Sequence, residues 1–180
     1  MKKLIAITAA LGMMFSSFSA YAGNAVTEES IVANHKQEIA QFETAVKNLA
    51  NVFGKTTTGK KLVESLKAQM LPLSLPEMTQ GEQNELSKAE ETYQTALYAV
   101  IDSLTEDEET FLTNTIVDQL AQSADYEAIE AMSEEEQTVF FATISLQYLT
   151  GIMLKNCNLS EDEKITIVAY GQWGLQNALQ

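Results

Sequence analysis

Basic side chains are scarce in this chain, and arginine is missing altogether. The 180 residues include 11 lysines, 25 acidic residues and a single histidine, which gives a formal net charge of −14 at pH 7. Binding to DNA or RNA draws its affinity from cationic side chains that displace counterions from phosphates. Arginine also supplies the planar fork that holds a phosphate through two hydrogen bonds. The composition therefore argues against a nucleic-acid partner.

Cysteine and histidine are too few for the common catalytic and metal sites. Cys157 and His35 each occur alone, so the sequence offers no internal disulfide and no cluster of zinc ligands. None of the acidic clusters has the alternating carboxylates, glycine and distant glutamate of a calcium loop. We therefore expect neither a metal nor a cofactor.

Proline is also rare, and so is the alternation of apolar and polar residues that is typical of β-strands. Both features favour a helical fold. Proline occurs only at Pro72 and Pro76, and apolar residues recur every three or four positions. The sequence predicts an all-α fold, a single-domain bundle of about six helices in residues 23–180. The helices are expected over residues 28–52, 60–70, 80–103, 106–122, 134–155 and 161–179, with a short helical piece near 126–132. Residues 71–78 are predicted to be a linker between a near-neutral helical pair and an acidic four-helix part.

The N-terminus has the pattern of a cleavable secretory signal. Lys2 and Lys3 precede an apolar run over residues 4–15, and Ala20 and Ala22 suit a signal peptidase. The pattern predicts a signal peptide over residues 1–22, cleaved after Ala22, and a bacterial periplasmic or secreted protein. The run is too short to span a membrane, and no cysteine beside the cut offers a lipid anchor. We therefore expect no stable membrane insertion after cleavage.

The remaining charge is distributed unevenly. Removal of residues 1–22 takes two lysines away and leaves a net charge of −16. Residues 23–70 carry six lysines and five acids, whereas residues 71–180 carry three lysines and twenty acids. A field of one sign attracts proteins of the opposite charge. The charge pattern therefore predicts a basic protein partner.

Four helix starts carry the pattern of a capping box. A serine or threonine followed three residues later by glutamate satisfies two backbone amides at the beginning of a helix. The four pairs are Thr79/Glu82, Thr105/Glu108, Ser133/Glu136 and Ser160/Glu163. Further acidic residues in the same first turns favour the positive end of the helix dipole. Much of the negative charge therefore has a structural explanation.

The last two helices differ in their patterns. The helix over 134–155 is apolar on nearly all sides, which predicts the central and most buried element. The last helix contains Gly171 and Gly174 on either side of Trp173. The glycines favour tight packing of this helix against the one before it. A ligand approaching the bare backbone beside Trp173 is the alternative.

The segment over residues 54–61, Gly-Lys-Thr-Thr-Thr-Gly-Lys-Lys, comes close to a phosphate-binding loop. Lys61 stands where that loop needs a serine or threonine hydroxyl for magnesium. The segment also follows a helical pattern ending near Phe53, whereas the loop follows a β-strand. We interpret it as a polar turn between the first two helices.

His35 and Cys157 are, with Trp173, the candidate interaction or redox residues. His35 falls on the apolar stripe of the first helix, which favours a packed or interface histidine over a catalytic base. Cys157 lies between two predicted helices. It is interpreted as a buried small side chain or, alternatively, as a partly exposed thiol that pairs with a second copy or another protein.

These observations predict an exported, non-enzymatic, acidic helical protein that binds another envelope or secreted protein. Inhibitor-like or immunity-like binding and chaperone-like binding both fit the sequence. One alternative is a carrier of a small apolar ligand or lipid within the bundle. Another is a peptidoglycan-active enzyme that uses Glu64, although Glu64 is more simply a solvent-facing residue.

Overall fold

The structure, a computed structural model, describes residues 26–70, 74–121, 129 and 131–178. Within these residues the chain forms seven α-helices and no strand, which confirms the all-α prediction. The helices are α1 (Glu28–Asn34), α2 (Lys36–Lys55), α3 (Thr57–Lys67), α4 (Gln80–Ser103), α5 (Glu106–Ala121), α6 (Glu134–Asn156) and α7 (Glu161–Ala178). The predicted signal peptide, part of the 71–78 linker and most of the short piece near 126–132 lie outside the described residues.

The centre of the fold is α2. Its apolar residues recur every three or four positions and form a single buried stripe. The stripe consists of Ile39, Phe42, Ala45, Val46, Leu49, Ala50 and Phe53. This helix packs most extensively against α4 and also contacts α7, α3 and α6. The prediction that the helix over 134–155 is the central element is therefore wrong.

Burial of α6 is confined to its second half. Residues 147–154 are all buried, whereas residues 134–146 are half-buried or exposed. This helix packs against α5 and also contacts α1 and α2. Among the described helices, α6 alone is long and apolar enough to cross a membrane, a property that core helices of soluble proteins share. The apolar composition of α6 therefore did not indicate that neighbouring helices cover only its second half.

All four predicted capping boxes are present. In each, the cap hydroxyl accepts from the amide three residues later, and the glutamate accepts from the cap amide. The second contact measures 2.7 Å between the Thr79 nitrogen and Glu82 Oε2. A fifth box at Thr27 uses the Ser30 hydroxyl, which accepts from the Thr27 amide at 2.8 Å. The sequence pattern missed it because the residue three positions after Thr27 is not a glutamate.

The first predicted helix is divided at His35. This residue has φ −111° and ψ 32°, outside the helical range, so α1 ends at Asn34 and α2 begins at Lys36. The predicted helix over 28–52 is thus two helices, and the second continues to Lys55. This division accounts for the seventh helix.

The glycines of the 54–61 segment have packing roles. Only Thr56 lies outside a helix between α2 and α3, so the predicted turn is a single residue. The Thr56 hydroxyl accepts from the Gly59 amide at 2.9 Å. A β-carbon on Gly59 would overlap the Phe53 carbonyl, and one on Gly54 would lie 3.3 Å from the γ-methyl of Thr166 in α7. The turn between α2 and α3 and the contact with α7 therefore account for the two glycines that make this segment similar to a phosphate-binding loop.

The last helix packs against α2 and α3. The prediction that it packs tightly against the preceding helix is wrong, because its main contacts are with α2 and α3 instead of α6. Its half-buried Trp173 lies 5.7 Å from Phe53 and 5.9 Å from Tyr170, measured between ring centroids. Trp173 thus contributes to an aromatic cluster at the end of α2.

Candidate functional site

His35 is the centre of a buried polar cluster at the α1–α2 junction. Its Nε2 lies 2.8 Å from Glu108 Oε2 in α5, and its Nδ1 lies 2.9 Å from the Ser103 hydroxyl at the end of α4. His35 is 6% exposed and Glu108 is 1% exposed. The cluster therefore joins four helices, and the prediction that His35 is a packed histidine is confirmed.

Glu108 has hydrogen-bond donors around both carboxylate oxygens. Its Oε2 accepts from the Thr105 amide at 2.9 Å and the Thr105 hydroxyl at 3.0 Å, and its Oε1 accepts from Asn34 at 2.9 Å. Burial raises the pKa of this carboxyl, but the bonds from Thr105, Asn34 and His35 outweigh it and lower the pKa to about 2. Glu108 is therefore ionised at neutral pH.

Both ring nitrogens of His35 have hydrogen-bond partners. The ionised Glu108 carboxylate accepts hydrogen bonds only, so Nε2 donates to it. The Ser103 hydroxyl lies beside Nδ1 and also donates to the Val100 carbonyl at 2.7 Å. The imidazole ring is thus fixed from both sides inside the protein.

Ser103, His35 and Glu108 share the residue types of a catalytic triad but not its geometry. In a triad the serine hydroxyl donates to the histidine, whereas the Ser103 hydroxyl donates to the Val100 carbonyl of its own helix. Ser103 also lies at the C-terminal end of α4, where the helix dipole opposes a developing oxyanion. The cluster therefore has a structural role and connects α5 to the α1–α2 junction.

A second buried pair connects α4 with α7. The hydroxyl of Tyr170 donates to Glu90 Oε1 at 3.0 Å, and both residues are buried. Burial, together with the neighbouring Glu90 carboxylate, raises the pKa of Tyr170. One turn along α4, Tyr93 packs its ring 5.4 Å from that of Phe42. These contacts stabilise the core and leave no open site.

Cys157 lies directly after α6, 8% exposed. Burial is the main cause that raises the pKa of its thiol, to about 12, so the thiolate that reacts in disulfide exchange is scarce. The interpretation of Cys157 as a buried side chain is confirmed. Disulfide pairing with a second copy or another protein stays a prediction, and it requires the loop between α6 and α7 to open.

The three candidate residues do not meet in one site. His35 precedes α2, Cys157 lies beside Glu43 and Lys47 near the middle of α2, and Trp173 contacts Phe53 near its end. With a rise of about 1.5 Å per residue, neighbouring positions are separated by roughly 12–15 Å along the helix. Each candidate therefore has its own surroundings. A ligand beside Trp173 stays a prediction.

The acidic surface is concentrated in one continuous stretch of the chain. Residues 89–154 contain fourteen acidic side chains and no lysine, arginine or histidine. The described part of this stretch forms most of α4, all of α5 and nearly all of α6. Its exposed carboxylates include Glu106, Asp107, Glu109, Glu134 and Glu135. This stretch therefore contains no basic residue that could neutralise its carboxylates.

An open groove of about 480 Å³ lies at the beginning of α6. Met132, Val139 and Phe140 line it with apolar atoms, and Glu135 and Glu136 complete the lining. Val139 is 61% exposed. The sequence prediction missed this groove because it placed the whole helix in the core.

Gln137 stabilises the chain turn beside the groove. Its side-chain amide donates to the Ile129 carbonyl at 3.2 Å and to the Met132 carbonyl at 3.1 Å. The Met132 amide also donates to the Ile129 carbonyl at 3.1 Å. These bonds position Met132 against the first turns of α6.

No protein-family model, curated protein or solved structure matches the chain. Function is therefore argued from the chemistry of the described surface. Among the described residues no three His, Cys, Asp or Glu side chains are grouped to hold a metal ion. The groove is suited to a ligand with an apolar side and positive charges along its edges.

Proposed function

We propose that the chain is an exported, non-enzymatic protein that binds a basic protein in the bacterial periplasm or outside the cell. The observation that carries the proposal is the 89–154 stretch, which has fourteen acids and no basic residue in its sequence. Glu90 and Glu108 are buried, but Glu106, Asp107 and Glu109 of α5 and Glu134, Glu135 and Glu136 of α6 are exposed. Uncompensated charge of one sign accelerates association with a cationic protein and disfavours acidic ones. The secretory pattern of residues 1–22 supplies the proposed location.

The buried polar residues support a binding role over catalysis. The only histidine is hydrogen-bonded to Glu108, and Ser103 is bonded to its own helix. Glu64, the residue that a peptidoglycan-active enzyme would use, lies exposed on α3, as expected for a solvent-facing side chain. Inhibitor-like, immunity-like and chaperone-like binding all agree with this arrangement.

A carrier of a small apolar ligand or lipid is the second candidate. The observation that favours it is the apolar lining of the groove beside α6. Ligand-binding cavities enclose most of the surface of a small molecule, whereas this groove is open to solvent with Val139 61% exposed. Protein binding is therefore preferred.

The test is affinity capture from the native envelope with residues 23–180 as bait. We expect one or more basic proteins to bind at about 50 mM salt and to dissociate at about 500 mM, because that change screens exposed charges. A bait with Glu106, Asp107 and Glu109 changed to Gln, Asn and Gln is expected to capture less. A matched bait with Glu38, Glu77 and Glu85 changed to Gln, all outside the 89–154 stretch, controls for net charge alone.

Capture that resists salt, or that the two variants weaken equally, contradicts a localised acidic binding face. Capture of acidic proteins contradicts the proposal outright. Lipid that copurifies with the bait and is seen by native mass spectrometry, without any captured protein, favours the carrier instead.

A further inference from the structure

We propose that the groove at the beginning of α6 binds a cationic amphipathic helix of the partner protein. The inference rests on the proposed function and assigns to it a contact site and a ligand chemistry. The site consists of Met132, Val139 and Phe140 with the carboxylates of Glu135 and Glu136.

The site contains a large exposed hydrophobic side chain. Four such side chains are exposed in the described chain: Met70, Tyr98, Val117 and Val139. The first three do not line the groove, and single exposed residues of this kind are normal in soluble proteins. Val139, in contrast, is 61% exposed and shares the groove lining with Met132 and Phe140. The groove therefore presents neighbouring apolar side chains to solvent.

The groove is long enough for the apolar side of a short helix. Within α6 its lining runs from Glu135 to Phe140, about 7.5 Å at a rise of about 1.5 Å per residue, and Met132 extends it before the helix begins. Apolar residues at positions i and i+4 of a bound helix are about 6 Å apart along its axis. Two successive apolar side chains of a partner helix therefore fit along the α6 part of the lining.

The negative charges around the groove favour a positively charged partner. Glu134 and Glu135 are exposed in the first turn of α6, and Glu136 lines the groove. The bond from the Ser133 amide lowers the pKa of Glu136 and so keeps it ionised. Because no basic residue occurs between Lys88 and Lys155, nothing in this stretch neutralises these carboxylates. Lysine or arginine beside the apolar side chains of a partner helix complements them.

The same charges disfavour two other occupants. A second copy of the chain would bring Glu134 and Glu135 of one molecule against those of the other, and like charges placed together oppose association. An anionic membrane surface is repelled for the same reason. The charge pattern therefore points to a cationic partner helix.

The proposal is tested with a synthetic helix of defined composition. The probe is a fluorescent peptide with leucine at i, i+4 and i+7 and lysine at most other positions, and its anisotropy is measured with residues 23–180. Control peptides have the same composition in scrambled order, or glutamate in place of lysine. We expect the patterned lysine peptide to bind at least about tenfold more tightly than either control, since each tenfold step is about 1.4 kcal/mol.

The protein variant is Val139→Lys, which places a cation in the groove. Its matched control is Tyr98→Lys, which makes an exposed apolar residue of α4 cationic. We expect Val139→Lys to weaken binding at least about tenfold and Tyr98→Lys to change it less than about threefold. Unchanged circular dichroism of both variants shows that the fold is retained.

Two results would overturn the groove as the binding site. The first is equal binding of the scrambled peptide, and the second is an equal effect of the two lysine variants. Self-association of the wild-type chain that Val139→Lys abolishes, or binding to phosphatidylcholine vesicles that it abolishes, would likewise assign the groove to another occupant.

The envelope capture separates this proposal from the proposed function. If Val139→Lys captures the basic partner as well as the wild type does, the groove assignment fails and the proposed function stands. If the wild type captures no basic protein, the proposed function itself fails.

Discussion

The centre of α2 and the first half of α6 are both rich in apolar residues, yet they have opposite environments. Seven apolar side chains of α2 are buried in one stripe, with Phe42, Val46, Leu49 and Phe53 at 0% exposure. In α6, no side chain over residues 134–146 is buried, and Val139 is 61% exposed. The difference arises from the neighbouring helices. α2 contacts four helices beyond α1, whereas α6 contacts three helices, and only the second half of α6 is buried.

This comparison shows that apolar content and burial are separate properties of a helix. An amphipathic stripe reports where a helix has neighbours, because polar residues mark the uncovered side. A helix that is apolar on all sides gives no such mark. For α6 the sequence therefore predicted a hydrophobic helix correctly and its burial incorrectly.

The largest expected effect is the difference in unfolding free energy between two phenylalanine-to-alanine variants. Phe42→Ala removes a fully buried ring and should lower the free energy of unfolding by about 3–5 kcal/mol. Phe140→Ala removes a half-buried ring beside the groove and should cost less than about 1.5 kcal/mol. Urea unfolding followed by circular dichroism measures both. Equal losses would mean that the beginning of α6 is as well packed as α2.

The next effect concerns the Glu108 carboxylate, which connects α5 to the α1–α2 junction. The pKa of Glu108 is about 2 in the folded chain against 4.5 as its ordinary value. A lowered pKa gives stability that is present above about pH 4.5 and lost as the pH falls toward 2. For this buried group the loss should be about 3 kcal/mol.

Glu108→Gln should remove most of this acid sensitivity, because an amide does not titrate. Unfolding free energies measured from about pH 7 down to about pH 3 would show a flatter profile for the variant. Glu136→Gln is the matched control, since Glu136 also closes a capping box but is exposed. An identical pH profile in wild type and Glu108→Gln would show that this carboxylate does not contribute.

The smallest effect tests the packing of the α2–α3 turn. Gly59→Ala places a methyl group onto the Phe53 carbonyl and should destabilise the fold by about 1–3 kcal/mol. Gly81→Ala, at the beginning of α4, meets only Thr79 at 3.9 Å and should be neutral or stabilising by up to about 1 kcal/mol. Thermal unfolding of both variants checks the difference. A stabilising Gly59→Ala would show that the turn is looser than described.

Structural features that depend on residues close in sequence were predicted more accurately than features that depend on contacts between distant residues. The capping boxes at Thr79, Thr105, Ser133 and Ser160 depend on residues three positions apart, and all four are present. The end of α1 at His35 was not predicted, because its partners Ser103 and Glu108 are about seventy residues away. The position of α7 against α2 and the groove beside α6 were missed for the same reason, since each depends on which helices become neighbours.

The burial of Cys157 makes opening of the α6–α7 loop detectable by chemical modification of the thiol. While the α6–α7 loop stays folded, the thiol is buried and its raised pKa keeps it unreactive. In a molecule whose loop opens, the exposed thiolate can attack a small disulfide such as oxidised glutathione, which forms a mixed disulfide and releases one thiol, so a reversible opening leaves a covalent modification. The folded state is in this way also the chemically protected state, so the lifetime of the free thiol measures how seldom the α6–α7 loop opens.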